Sequence, residues 1–159
     1  MAMEDLSSVL WHERELLETL AYKLEVEQLV LASGRTHWLA AAAREVENVL
    51  DRIRDVEVLR AVEVEAVAQE LGLESNASLQ EIAAASAEPW GSIWLDHREA
   101  FTMVAAQIRQ LSESNRDLLT AGYRAAQATL LSLSEGAGTY GSDGAVEADR
   151  RASLLDRSL

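Results

Sequence analysis

The residues of this sequence best suited to metal binding or phosphoryl transfer are three histidines, His12, His37 and His97. A zinc site needs several ligands converging on one ion, yet each histidine falls on a different expected helix and none pairs at i, i+4. His12-Glu13 is not followed by a second histidine, so the helical protease motif is absent. His97 sits on an apolar stripe near Asp96 and Glu99, where a neutral imidazole could act as a nucleophile. Its following run, Arg98-Glu99-Ala100, lacks the lysine and glycine of a phosphotransfer helix, so His97 is read as a packed core residue. Glu45 and Glu47, like Glu63 and Glu65, are two apart and point to different sectors of a helix. Gly136, Gly138, Gly141 and Gly144 follow a helix and precede no Lys-Ser/Thr pair, which removes a phosphate loop. There is no cysteine, hence no disulfide and no thiolate site. Catalytic, cofactor-binding and metal-binding residues are therefore all assigned as none, and the expectation is a protein that is not an enzyme.

With chemistry set aside, the elements become the subject. A chain of 159 residues is long enough to bury one core. Its formal net charge of -13 disfavours nucleic acid and anionic membranes, and would steer a basic partner at low salt. Only 8 glycines and 1 proline interrupt a composition rich in Ala, Leu, Glu and Arg, which is that of helices. The opening residues are acidic where a signal peptide is basic, and no apolar run would span a bilayer. No membrane insertion and a cytoplasmic location are expected.

Leu6, Leu10, Leu17, Leu20, Leu24 and Leu31 recur at helical spacing and predict a first helix from about Asp5 to Ser33. Gly34 offers its left-handed stop, and Thr36 an N-cap for the next helix. Leu39, Ala42, Val46, Val49, Ile53 and Val56 form a heptad seam in a second helix from about His37 to Leu71, which drifts beyond Leu59. Gly72 ends it, and Ser78-Leu79-Gln80-Glu81 fits a capping box opening a short helix to about Ser86. Pro89 suits the first turn of a third long helix. On that helix Trp94, Phe101, Val104, Ile108, Leu111, Leu118 and Ala125 keep a seven-residue repeat, with His97, Asn115 and Gly122 on the same stripe. Trp11 and Trp38 are expected to staple the first two helices. The fold expected is all-α: an elongated antiparallel bundle or coiled coil of three long helices and one short one. The helical domain is set at 1–134, and 135–159 is read as a flexible glycine-rich and polar tail.

Four stretches, taken in order, resemble the FlgN family of flagellar export chaperones. They are Leu6 to Glu18, Arg44 to Leu50, the segment Leu111-Ser112-Glu113-Ser114-Asn115-Arg116-Asp117-Leu118-Leu119, and Thr139-Tyr140-Gly141-Ser142-Asp143-Gly144. The resemblance spans roughly residues 4 to 144 and implies a type III secretion chaperone. Such a protein would bind FlgK- and FlgL-type hook-associated proteins at their C-terminal segments. It would prevent their premature assembly and present them to the FlhA-type export gate.

The residues themselves supply a surface for that work. On the third long helix the stripe continues through Leu111, Asn115, Leu118, Leu119, Gly122, Tyr123, Ala126, Leu130 and Leu131, so a cargo helix could lie along it. Asn115 would fix register there, and Gly122 and Ala126 would allow close approach. Tyr140, in the tail, is the candidate contact for the export gate. The alternative reading is a self-associating structural coiled coil or scaffold using the same stripes.

Overall fold

The computed structural model of the chain describes residues 1–137, and every regular element within them is helical. Helix α1 spans Ala2–Ser33, α2 Leu39–Leu71, α3 Leu79–Ala85 and α4 Trp90–Ala137, with a 3-10 turn at Thr36–Trp38. The fold is an all-α helical bundle. Among the described residues the chain forms two compact units: Met1–Lys23 with Glu45–Gln110, and Leu24–Arg44 with 111–137.

Local chemistry explains where the helices stop. Gly34 and Gly72 both adopt positive φ, at 70° and 69°. At Gly72 the amide bonds back to Gln69 and the amide of Leu73 to Ala68, a Schellman ending that only a residue at ease in the left-handed region completes cheaply. The capping box is present, with Glu81 N–H donating to Ser78 Oγ and Ser78 N–H to the Glu81 carboxylate, each at 3.1 Å. Pro89 stands one residue ahead of α4, and its carbonyl accepts from the Ile93 amide at 3.2 Å.

Three boundaries differ from expectation. Thr36 is not an N-cap: it begins the 3-10 turn, and no side chain caps that turn. Helix α1 starts at Ala2 rather than Asp5, with the Asp5 amide bonding to the Met1 carbonyl. Helix α4 runs on through Glu135 and Gly136 to Ala137. One glycine costs a helix only about 1 kcal/mol, and the remaining glycines of that run lie outside the described residues.

In the first unit α1 and α2 run antiparallel, since Glu13 meets Arg60 and Lys23 meets Glu45. The core there joins Leu6 and Leu10 of α1, Val67 and Ala68 of α2, Ile82 and Ala83 of α3, and Trp94 of α4. Trp94 is fully buried, stacks on Trp90 at 5.3 Å and donates through its indole to Ser86 Oγ at 3.1 Å. A Cβ at Gly91 would stand 3.2 Å from the Ala83 carbonyl, so glycine lets the start of α4 come close to α3. In the second unit Leu24 of α1, Leu39 and Ala42 of α2, and Leu119 of α4 are buried.

Trp11 and Trp38 do not staple α1 to α2. Both are about half exposed. Trp11 instead lies edge-on to His97 of α4 at 5.0 Å, with the Arg14 guanidinium 4.1 Å above its ring, and Trp38 contacts its neighbour His37.

Candidate functional site

Seven turns of α4, from Leu111 to Gly136, hold all but one of the expected partner-binding residues. Tyr140 lies outside the described residues. Asn115 and Leu119 are buried, while Leu111, Leu118, Tyr123 and Leu130 are half-buried. Gly122, Ala126 and Leu131 are exposed. Past Leu119 no side chain of α4 is buried as far as Gly136, although the helix continues. Most helical stability in proteins comes from packing an apolar face, and here the apolar stripe runs on where Tyr123 and Leu130 are only half-buried.

Helical geometry redraws that stripe. Leu133 follows Asn115 by about five turns and so returns to the same side, whereas Leu131 lies about 160° away round the helix. Leu133 is 65 % exposed. The face that continues the core side is thus Gly122, Tyr123, Ala126, Leu130 and Leu133. Leu133 is readable from its spacing to Asn115; Leu131, also exposed, stands on another side of the helix. In the same unit Leu29 of α1 and Trp38 also stand exposed.

Asn115 is the polar fixture of this unit. Its Nδ2 donates to the Leu24 carbonyl at 2.9 Å and to Glu27 Oε1 at 3.1 Å, while its Oδ1 is buried without a partner. Burial raises the Glu27 carboxyl above its usual range, and the bond from Asn115 opposes that shift. Leu119, also buried, belongs to the core and not to a free surface. A charge placed at Leu119 would therefore damage the fold before it reported on binding.

The first unit holds the polar groups that sequence patterning missed. Glu13, assigned by pattern to the charged side of α1, is 4 % exposed and accepts from Arg60 Nη1 at 3.2 Å through both carboxylate oxygens. Burial raises its pKa more strongly than Arg60 lowers it. Arg60 follows Val56 by four residues, so the α2 seam that drifted beyond Leu59 continues through an arginine. His97 is buried, as expected, with Trp94 and Phe101 each at 6.3 Å and its Nδ1 accepting from Arg14 Nη1 at 3.3 Å. Arg14 also bonds Asp96 at 3.1 Å. Desolvation and the nearby Arg14 lower the His97 pKa, which favours the neutral ring, and its Nε2 is buried unpaired. Among the described residues no three His, Asp or Glu side chains gather as a metal site, and no helix is long and apolar enough to cross a membrane.

The fold is an all-α helical bundle whose longest helix, α4, runs on past its last buried residue, Leu119. This chain belongs to the FlgN family: the family described as FlgN protein matches residues 1–148, nearly the whole sequence. It is thereby a flagellar export chaperone, from a family of chaperones and not of enzymes. Neither the curated proteins nor the solved structures yielded a match.

Proposed function

We propose that this chaperone holds FlgK- and FlgL-type hook-associated proteins by their C-terminal segments and delivers them to the FlhA-type gate of the type III export apparatus from the cytoplasm. The cargo helix lies along Gly122, Tyr123, Ala126, Leu130 and Leu133. One observation carries this reading: the apolar stripe of α4 continues past Leu119, its last buried residue, while the helix remains intact. The small residues Gly122 and Ala126 let a second helix approach, and the leucines supply the grip. Each leucine newly covered contributes about 1.5–3 kcal/mol gross, much of it offset by the cost of ordering the cargo. That balance suits capture followed by release, with no nucleotide required. Tyr140 acts separately, as the contact for the gate.

The experiment is capture of a purified hook-associated protein by the wild type and by Leu130→Asp with Leu133→Asp. Capture is lost in the variant while its circular dichroism is unchanged. Undiminished capture rejects the site. A Tyr140→Ala chain keeps capture and loses secretion, and normal secretion removes the role given to Tyr140. Light scattering on the wild type separates a chaperone from a scaffold: an obligate oligomer that dissociates only on unfolding favours the scaffold.

A further inference from the structure

The two units differ sharply in charge. Met1–Lys23 with Glu45–Gln110 contains most of the acidic residues, whereas Leu24–Arg44 with 111–137 carries its few acids and bases in near balance. The acidic unit also has an apolar face that its own core does not use. Val58, Leu59 and Val62 of α2 are 67 %, 55 % and 61 % exposed; Val58 and Val62 lie on the side of the helix opposite buried Ile53 and Val67, and Leu59 stands at the flank of that face. Half-buried Ala66 extends the same face by one turn. Beside it α2 and the start of α3 enclose a recess of about 400 Å³ whose lining includes Glu57, Glu65 and Ser78. The one base in that lining, Arg60, is already held by Glu13.

We propose that this outward face of α2 docks a basic amphipathic helix of a partner protein. Its apolar side would cover Val58, Leu59 and Val62, and a Lys or Arg would reach into the recess toward Glu57 and Glu65. Charge selects this occupant. A second copy of the chain would bring two acidic units face to face, and like charges at an interface oppose association. A basic helix would meet Asp55, Glu63 and Glu65 along the same path, where Arg54 is already paired with Asp51 and Arg52 is the remaining base. The apolar strip from Val58 to Ala66 is about 12 Å long at ~1.5 Å per residue, which matches two turns of an incoming helix. The α2 face shares no residue with the α4 stripe, and the inference does not depend on the cargo reading.

The test uses the isotope-labelled full chain and two synthetic helical peptides that share one leucine stripe, flanked by lysines in one and glutamates in the other. The lysine peptide binds, with shifts concentrated at residues 55–66, and its affinity falls as salt rises. The glutamate peptide does not bind. Val58→Ser with Val62→Ser, which leaves every charge in place, weakens the lysine peptide roughly tenfold with helix content unchanged. Leu130→Asp with Leu133→Asp leaves this binding intact, which separates the two surfaces. Equal binding of both peptides, shifts centred on 122–136, or no effect of the serine pair overturns the proposal. So does a wild-type dimer that the serine pair converts to monomer, since the occupant would then be a second copy.

Discussion

Asn115 of α4 donates to the main-chain carbonyl of Leu24 in α1 at 2.9 Å, a bond from a buried side chain to the middle of another helix. A backbone carbonyl cannot move along its helix without breaking the bond, so the contact fixes one axial position of α4 against α1 in this unit. A leucine at 115 would pack at several neighbouring registers. The same amide holds the half-buried Glu27.

Replacing Asn115 by alanine removes both bonds and is expected to cost about 1–3 kcal/mol, read as a lower urea midpoint at unchanged slope. Glu27 gives the substitution a pH signature. Its folded pKa is raised above 4.5 by burial and restrained by Asn115. A raised carboxyl contributes stability that is full below its unfolded value and lost as pH rises through the folded one. Asn115→Ala therefore loses more stability than the wild type as pH rises above about 4.5. An equal pH dependence in the two proteins would show that the amide does not restrain Glu27.

His97 titrates with the opposite sign. Its folded pKa lies below the usual 6.5 because burial and Arg14 both disfavour the imidazolium, only partly offset by Asp96. The stability tied to the neutral ring is complete above the unfolded value and is lost as pH falls through the folded one. Protonation would also cost the bond from Arg14, since Nδ1 could no longer accept. His97→Phe keeps the aromatic contacts and removes the titration. Its unfolding midpoint, followed downward from about pH 7, should fall less steeply than that of the wild type. A histidine resonance titrating at the ordinary value would contradict this.

Much of the fold was legible because its signals are local. The α2 seam from Leu39 to Val56 is buried residue for residue, and Gly34, Gly72 and Ser78-Glu81 end or begin helices where their chemistry requires. The losses came where a stripe carries a charge. Glu13 and Arg60 occupy core positions on their helices, and periodicity treats a charged residue as surface until its partner on another helix is known. Trp11 and Trp38 misled for the converse reason, since a large apolar ring was assumed to be core. For the candidate segment, the helix and its stripe were legible, and the burial of individual residues along it was not. Leu119 and Leu133 differ in burial only because the cover over α4 gives out between them, and no residue within α4 marks where that happens.

The Glu13–Arg60 pair is expected to behave as a unit. Arg60→Met leaves a carboxylate with 4 % exposure and no base to hold it. Because Arg60 keeps a third of its side chain in solvent, the cost is placed at about 1–3 kcal/mol rather than at the full value of a buried pair. Glu13→Gln on the Arg60→Met background should recover part of the loss, because the neutral amide avoids the burial of charge that raises the Glu13 pKa. A double-mutant cycle of urea midpoints measures the coupling. Strictly additive changes would mean that the two side chains do not stabilise one another.

Leu119 and Leu133 share the core side of α4, are both leucine, and should answer substitution in different ways. Leu119 is 8 % exposed, so Leu119→Ala opens a cavity and is expected to cost about 2–4 kcal/mol of stability. Any loss of cargo capture should then follow unfolding and recover when the temperature is lowered. Leu133, at 65 % exposure, touches too little of its own chain to matter to folding. Leu133→Ala should leave the unfolding midpoint within about 0.5 kcal/mol of the wild type, while slowing nothing in refolding. Its effect should appear in capture of a hook-associated protein, as a shorter lifetime of the complex at an unchanged association rate. The pair thus separates core from contact in one assay of stability and one of binding. If Leu133→Ala destabilises the chain as much as Leu119→Ala does, α4 is covered to its end and the proposed cargo face does not exist.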